Sequence, residues 1–298
     1  MTGFKNEQQS TLIGMAAILM WSASLGLFRS ISEVFGPVGG AALIFTTSGV
    51  LGALILGLPK LRELPPMYLF GCGTLFIAYE IALALSVGLA HDRHQAIELG
   101  MINYLWPSLT VLLAVVTRVQ RGSWLMAPAI ALCFAGIAWV IKSDGELSAQ
   151  LLWRHVQSNP VAYGLAFAAA FLWAAYSVMT RRFGSGKNAV PLFLLLTATA
   201  LWIRYSISNE PALVMNYSGA AQVLLLGALT ATAYSCWNYG IQHGNLTVLA
   251  TVSYFTPVLS ATLTSLWLGI RPGASFFYGV VMVTAGSLIC LWATRLKK

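Results

Sequence analysis

Charged side chains are scarce in this chain. Lys, Arg, Asp and Glu make up 9% of its 298 residues, against 58% hydrophobic residues and a mean hydropathy of +0.75. No water-soluble domain carries that balance without exposing apolar surface. Asp92 and Asp144 are the only aspartates and both fall in polar breaks between apolar runs, which excludes an intramembrane aspartyl pair. His91, His94, His155 and His243 sit at the ends of apolar runs and lack the spacing of a metal site such as HExxH. No lysine lies near the centre of an apolar run, so a Schiff-base chromophore is excluded. A phosphate-binding loop and a nucleotide-binding domain are also missing. No enzymatic chemistry, cofactor or metal is therefore expected. Cys72, Cys133, Cys236 and Cys290 show no CxxC spacing and are read as packing residues.

What the chain does have is apolar runs. A helix needs about 20 apolar residues to cross the hydrocarbon core, and the runs count out to ten such spans, at 10–30, 37–57, 67–89, 95–117, 123–142, 161–182, 190–207, 219–241, 246–268 and 274–294. They are uniformly apolar rather than alternating with period two, so barrel strands are excluded. The expected fold is an all-α polytopic membrane protein. With ten spans both termini share a side, and that side collects 11 of the 17 basic residues, from Lys5 to the tail Arg295, Lys297 and Lys298. The positive-inside rule places both termini in the cytoplasm. The net charge of +8 is thereby a topology signal, and a nucleic-acid partner is not expected. The lysine, apolar stretch and Ser22-Ala23-Ser24 near the N-terminus imitate a cleavable signal, but the first run is a counted member of a repeat.

That repeat is the chain's main motif. At a spacing of 150 residues, Asn103-Tyr104-Leu105-Trp106-Pro107 is echoed by Ser253-Tyr254-Phe255-Thr256-Pro257, Ala135-Gly136 by Ala285-Gly286, and Arg121 by Arg271. Residues 1–142 and 161–298 are expected to be two halves of five helices joined by a linker at 143–160. An odd number of spans inserts the second half upside down. Inverted repeats characterise secondary transporters, with the substrate site at mid-membrane between the halves.

Candidate site residues follow from depth and recurrence. Trp21 of the first span aligns with Trp173 of the sixth, which carries Tyr176 on the same face; Tyr79 of the third aligns with Tyr234 of the eighth, which carries Trp237 and Asn238. Pro107 and Pro257 each remove a helix hydrogen bond, leaving the carbonyls of Asn103 and Ser253 without their usual partners. Freed backbone at membrane depth is tolerated only against protein or a water-lined cavity, so the two prolines are expected to act as inward-facing hinges beside Asn103, Tyr104, Trp106, Ser253 and Tyr254. Glu80 and Glu98 are carboxylates within spans, costly unless they face water or a partner, and are candidate proton or cation sites. Arg29, near the end of its span, is expected to snorkel to the interface. Rings, small hydroxyls, a few amides and two glutamates suit a medium-sized aromatic or apolar solute.

Ten spans in two inverted halves, each with a proline late in its fourth helix and an Ala-Gly in its fifth, resemble the drug/metabolite transporter superfamily in its EamA type, over almost the whole chain. Within that family, Tyr79, the block 103–107 and Tyr254-Phe255-Thr256-Pro257 are similar to bacterial inner-membrane exporters of aromatic amino acids. The resemblance implies alternating-access export of phenylalanine, tyrosine, tryptophan and related amphipathic metabolites across the inner membrane, with membrane lipid as surroundings and no obligate protein partner. One departure is that the glutamate EamA halves carry after the fourth helix is replaced by Val119-Gln120 and Gly269-Ile270. Two other readings stand beside this one. In proton-coupled multidrug or quaternary-ammonium efflux, Glu80 or Glu98 would be the cation partner. A non-transporting scaffold or sensor subunit would have a closed apolar interior.

Overall fold

The computed structural model describes residues 7–117, 123–142, 149–184, 187–244, 249 and 252–293. Among these the chain is helical, without strands. Arg118, Arg121, the first part of the linker at 143–148 and the tail 294–298, on which part of the charge and repeat pattern rested, lie outside the described residues.

Helix α1 runs Glu7–Phe35, α2 Pro37–Leu56 and α3 Gly73–Gly88, the last entered through a π-helical turn at Met67–Cys72. Then come α4 Arg93–Asn103, α5 Trp106–Val116, α6 Met126–Ile141, α7 Ala149–Ser158, α8 Pro160–Phe183, α9 Val190–Ser206 and α10 Tyr217–His243. Helices α11 Thr256–Leu268 and α12 Ala274–Ala293 follow. Proline sits in the first turn of α2, α5, α8, α9 and α11, where its missing N–H would have no intrahelical partner anyway. The side chains of Asp92, Asn159 and Asn216 accept from the first-turn amides of Gln95, Ala162 and Gly219, starting α4, α8 and α10. The α1–α2 corner uses Gly36 at φ 79°, a left-handed conformation. There the Glu210 carboxylate, from the α9–α10 connection, accepts from the amides of Val38 and Gly39 at 2.9 Å. The anion thus caps the positive end of α2.

Six described segments are long and apolar enough to cross a membrane: Glu7–Phe35, Pro37–Leu56, Met67–Gly88, Arg93–Leu113, Pro160–Thr180 and Tyr217–Trp237. Met126–Ile141, Val190–Ser206 and Ala274–Cys290 are shorter apolar helices. The ninth expected span is described only in part, chiefly as α11. Large apolar side chains such as Leu54, Phe70, Ile203, Leu224 and Leu266 stand exposed on the bundle's outside. In water that surface would aggregate, whereas in lipid it is the ordinary exterior. Buried hydroxyls bond back along their own helices, Ser22 to the Ile18 carbonyl, Ser48 to Ile44 and Thr197 to Phe193, so no polar atom of these three is left bare in an apolar medium. The chain is a polytopic helical membrane protein.

Helix packing crosses the middle of the sequence. Helix α1 lies against α10 and α11, and α8 lies against α3, α4 and α5, while α2 pairs with α9 and α6 with α12. The α6–α12 crossing is close enough that a Cβ on Gly136 would meet Gly279 and Val283, and one on Gly286 would meet Ala129 and Cys133. Under the 150-residue spacing these two sets of neighbours are each other's images. Glycine permits this backbone approach.

Candidate functional site

The chemistry-bearing residues meet where α1, α3, α8 and α10 surround the two helix breaks. At the first break α4 ends at Asn103. The Tyr104 amide reaches back to the carbonyls of Gly100 and Met101 at 3.3 and 3.1 Å, and that of Leu105 to Ile102 at 3.1 Å. Regular pairing resumes with the Leu109 amide on Leu105. Pro107 opens α5 in place of continuing α4, because it has no N–H to offer and its ring crowds the preceding turn. The second break repeats this, with the Phe255 amide on Val252 at 3.0 Å and that of Leu259 on Phe255 at 3.1 Å. The expected freed carbonyl differs there: the Thr256 hydroxyl donates to the Ser253 carbonyl at 2.6 Å. A hydroxyl side chain just before the proline replaces the missing amide. The first break carries Trp106 in that position and has no such donor.

Between the breaks lies a cleft with about 850 Å³ of empty space, the solvent at its open mouth included. It is lined by Trp21, Tyr79, Glu80, Asn103, Tyr104, Trp106, Trp173, Tyr234 and Ser253, all expected from the sequence. Its aromatic wall is continuous. Tyr79 packs on Trp173 at 4.6 Å between centroids and Trp21 on Tyr234 at 5.3 Å, while Trp106 stands edge-on to Trp173 at 6.3 Å. The first two contacts exchange under the alignment of Trp21 with Trp173 and Tyr79 with Tyr234. The polar groups are few. Glu80, 5% exposed, accepts a hydrogen bond from the Tyr234 hydroxyl. The Oδ1 atom of Asn103 is buried and has no hydrogen-bond partner among the described residues. Glu80 is the charged side chain among the described residues lining the cleft.

Residues 160–292 match the EamA-like transporter family. Over 289 residues the chain is 45% identical to the aromatic amino acid exporter YddG of Salmonella typhimurium and 43% identical to that of Escherichia coli, covering 97% of this chain and 99% of each relative. The chain belongs to the EamA-like transporter family. The relatives are exporters, not enzymes, and the expected absence of catalysis rests on that kinship. A solved crystal structure shares the fold of this EamA-like chain with a TM-score of 0.70 at 28% identity, over 98% of this chain and 100% of that one.

Several expected residues of this EamA-like protein fall outside the lining. Tyr176 stacks behind Trp173 at 5.1 Å, and Trp237 packs behind Trp21 at 5.3 Å. Tyr254 is buried without lining the cleft. The side chain of Asn238 lies outside the described residues. Glu98 points away, accepting from the Tyr163 hydroxyl at 2.7 Å with His155 Nδ1 at 3.9 Å. Arg29 is held by protein partners. It is 8% exposed, with Nη1 donating to the Ala90 carbonyl at 2.7 Å and Nε to Glu33 at 2.9 Å. Glu33 also holds Arg93 in a forked pair at 2.7 and 3.0 Å, and Arg93 Nη1 donates to the Leu268 carbonyl at 3.0 Å. These bonds join α1, the α3–α4 connection, α4 and the end of α11 at one end of the bundle.

Sequence reasoning did not place Ser24, Leu25, Phe28, Leu83, Val87, Gly100, Thr230 and Thr256 in the lining, where the structure has them. The signal was helical spacing from residues already chosen. Leu25 and Phe28 follow Trp21 at i+4 and i+7, Leu83 follows Tyr79 at i+4, and Thr230 precedes Tyr234 by four.

Proposed function

We propose that this EamA-like protein exports aromatic amino acids across the bacterial inner membrane by alternating access. The observation that carries the reading is the ring-walled cleft beside two helix breaks, whose polar complement is one carboxylate, one amide and a few hydroxyls. Rings stack favourably on an aromatic side chain in offset or edge-on contact, and the exporters named above match over nearly the full chain. An open cleft also counts against a closed scaffold.

The chain is read as ten spans in two inverted halves, 1–142 and 161–298. Support comes from the exchange of neighbours at the α6–α12 crossing and from the exchange of the Trp21–Tyr234 and Tyr79–Trp173 contacts. Helix packing is reciprocal in the same sense, α1 on α10 and α11 answering α8 on α3 and α4–α5. In this reading both termini are cytoplasmic, and the Arg93–Glu33 end faces away from the cytoplasm. Pro107 and Pro257 are the hinges about which the halves rock. The test is uptake of labelled phenylalanine and tryptophan by reconstituted vesicles. Flux no faster than in protein-free vesicles refutes the substrate assignment.

A further inference from the structure

We infer that Glu80 receives the substrate's ammonium group, held in place by Tyr234, so that the cleft selects for an amine and not for a carboxylate; this rests on the aromatic-solute reading above. The Glu80 carboxylate lies on the cleft wall, 5% exposed, and one of its oxygens accepts from the Tyr234 hydroxyl. The Tyr234 ring is itself fixed by Trp21 at 5.3 Å and Phe76 at 5.4 Å, so the hydroxyl has little freedom to leave. Among the described residues no Arg, Lys or His lines the cleft. One hydrogen bond from a neutral hydroxyl does not offset the loss of water around a carboxylate at membrane depth.

A second observation points the same way. Asn103 presents a buried Oδ1 acceptor with no partner among the described residues, and it lines the same cleft as Glu80. A carboxylate on this wall, with no cationic side chain beside it among the described residues, calls for a ligand that donates and carries positive charge. A primary ammonium supplies three donors and is attracted to aromatic ring faces. Among the described lining residues a substrate carboxylate finds neutral donors and no cation: hydroxyls, the Asn103 amide and the indole N–H groups.

The full-length protein, purified in detergent, is titrated with phenethylamine and with 3-phenylpropionate while its tryptophan emission is followed. These probes share the ring and differ in the charged end. Phenethylamine is expected to bind tighter by about tenfold or more, the value of one hydrogen bond to a charged group. Glu80→Gln is expected to bring the two to near parity by weakening the amine, and Glu80→Asp, which keeps the charge, to retain the preference. As a measurement that needs no variant, phenethylamine should protect Glu80 from carbodiimide modification, read by peptide mass, and 3-phenylpropionate should not. Equal or tighter binding of the propionate, an undiminished preference in folded Glu80→Gln, no binding of either probe, or no protection each overturns the inference. Vesicle uptake of phenylalanine separates the two claims. Failed uptake with an amine preference that follows Glu80 removes the amino acid assignment alone, and uptake without the preference removes this one alone.

Discussion

Trp173 lies within ring contact of Tyr79, Tyr176, Trp106, Tyr234 and Phe76, so it both forms the wall and holds its neighbours to it. Aromatic pairs contribute about 0.5–1.5 kcal/mol each beyond the area they bury. Trp173→Ala is therefore expected to weaken phenylalanine binding by about tenfold or more and to lower the melting temperature, and Trp173→Phe to retain most of both, as followed by emission titration and thermal unfolding. Gly36 offers a contrast in stability alone. Its φ is 79°, and an added Cβ would approach Glu210 Oε2 to 2.5 Å, whereas one on Gly52 would find Pro191 at an ordinary 3.6 Å. Gly36→Ala should cost about 1–3 kcal/mol through strain and disturbance of the α2 cap, and Gly52→Ala should leave the melting temperature nearly unchanged. Depth and face were legible at this scale from Trp21, Tyr79, Asn103 and Trp173. The bond between Glu80 and Tyr234 was not, because it depends on how α3 and α10 are rotated about their own axes, and side chains 154 residues apart carry no mark of that rotation.

At the scale of elements, the two breaks share a cause but not a chemistry. Pro107 and Pro257 both begin a new helix, yet only the second break has a hydroxyl at its freed carbonyl. Restoring the amide with Pro107→Ala should slow phenylalanine flux without lowering the melting temperature, since the variant gains a helix hydrogen bond. A fall in both would make the proline a packing residue. The breaks could be anticipated because proline's effect is local. The asymmetry needed Thr256 to be seen bonding to Ser253. Helix ends were harder still: Arg29 was expected to reach the interface and Glu98 to be a proton or cation site, but one is clamped by Ala90 and Glu33 and the other by Tyr163. The Arg29–Glu33–Arg93 chain ties three helices at one end, and with Arg93 and Glu33 partly exposed it contributes little to global stability. Its expected effect is on access. Glu33→Gln should speed labelling of Ser24→Cys by a membrane-impermeant maleimide, and an unchanged rate would mean that these bonds do not close the cleft.

For the whole molecule, the doubled motif carried the reading furthest. The 150-residue spacing anticipated that Gly136 and Gly286 would occupy equivalent places, and the α6–α12 crossing sets each against the image of the other's neighbours. What the spacing leaves open is which helices line the cleft and which stand behind them, since Tyr176, Trp237 and Tyr254 recur or cluster as convincingly as Trp21 and Trp173 do and still form an outer layer. Glu80 has a further consequence, this one electrical. If its charge stays with the protein through the cycle, a zwitterion crosses carrying no net charge and an aromatic amine crosses carrying one. A membrane potential works on a moved charge at about 2.3 kcal/mol per 100 mV. Phenylalanine flux should then be indifferent to a potassium diffusion potential, while phenethylamine flux should follow its sign, so that the same cleft is silent with one aromatic solute and generates current with another.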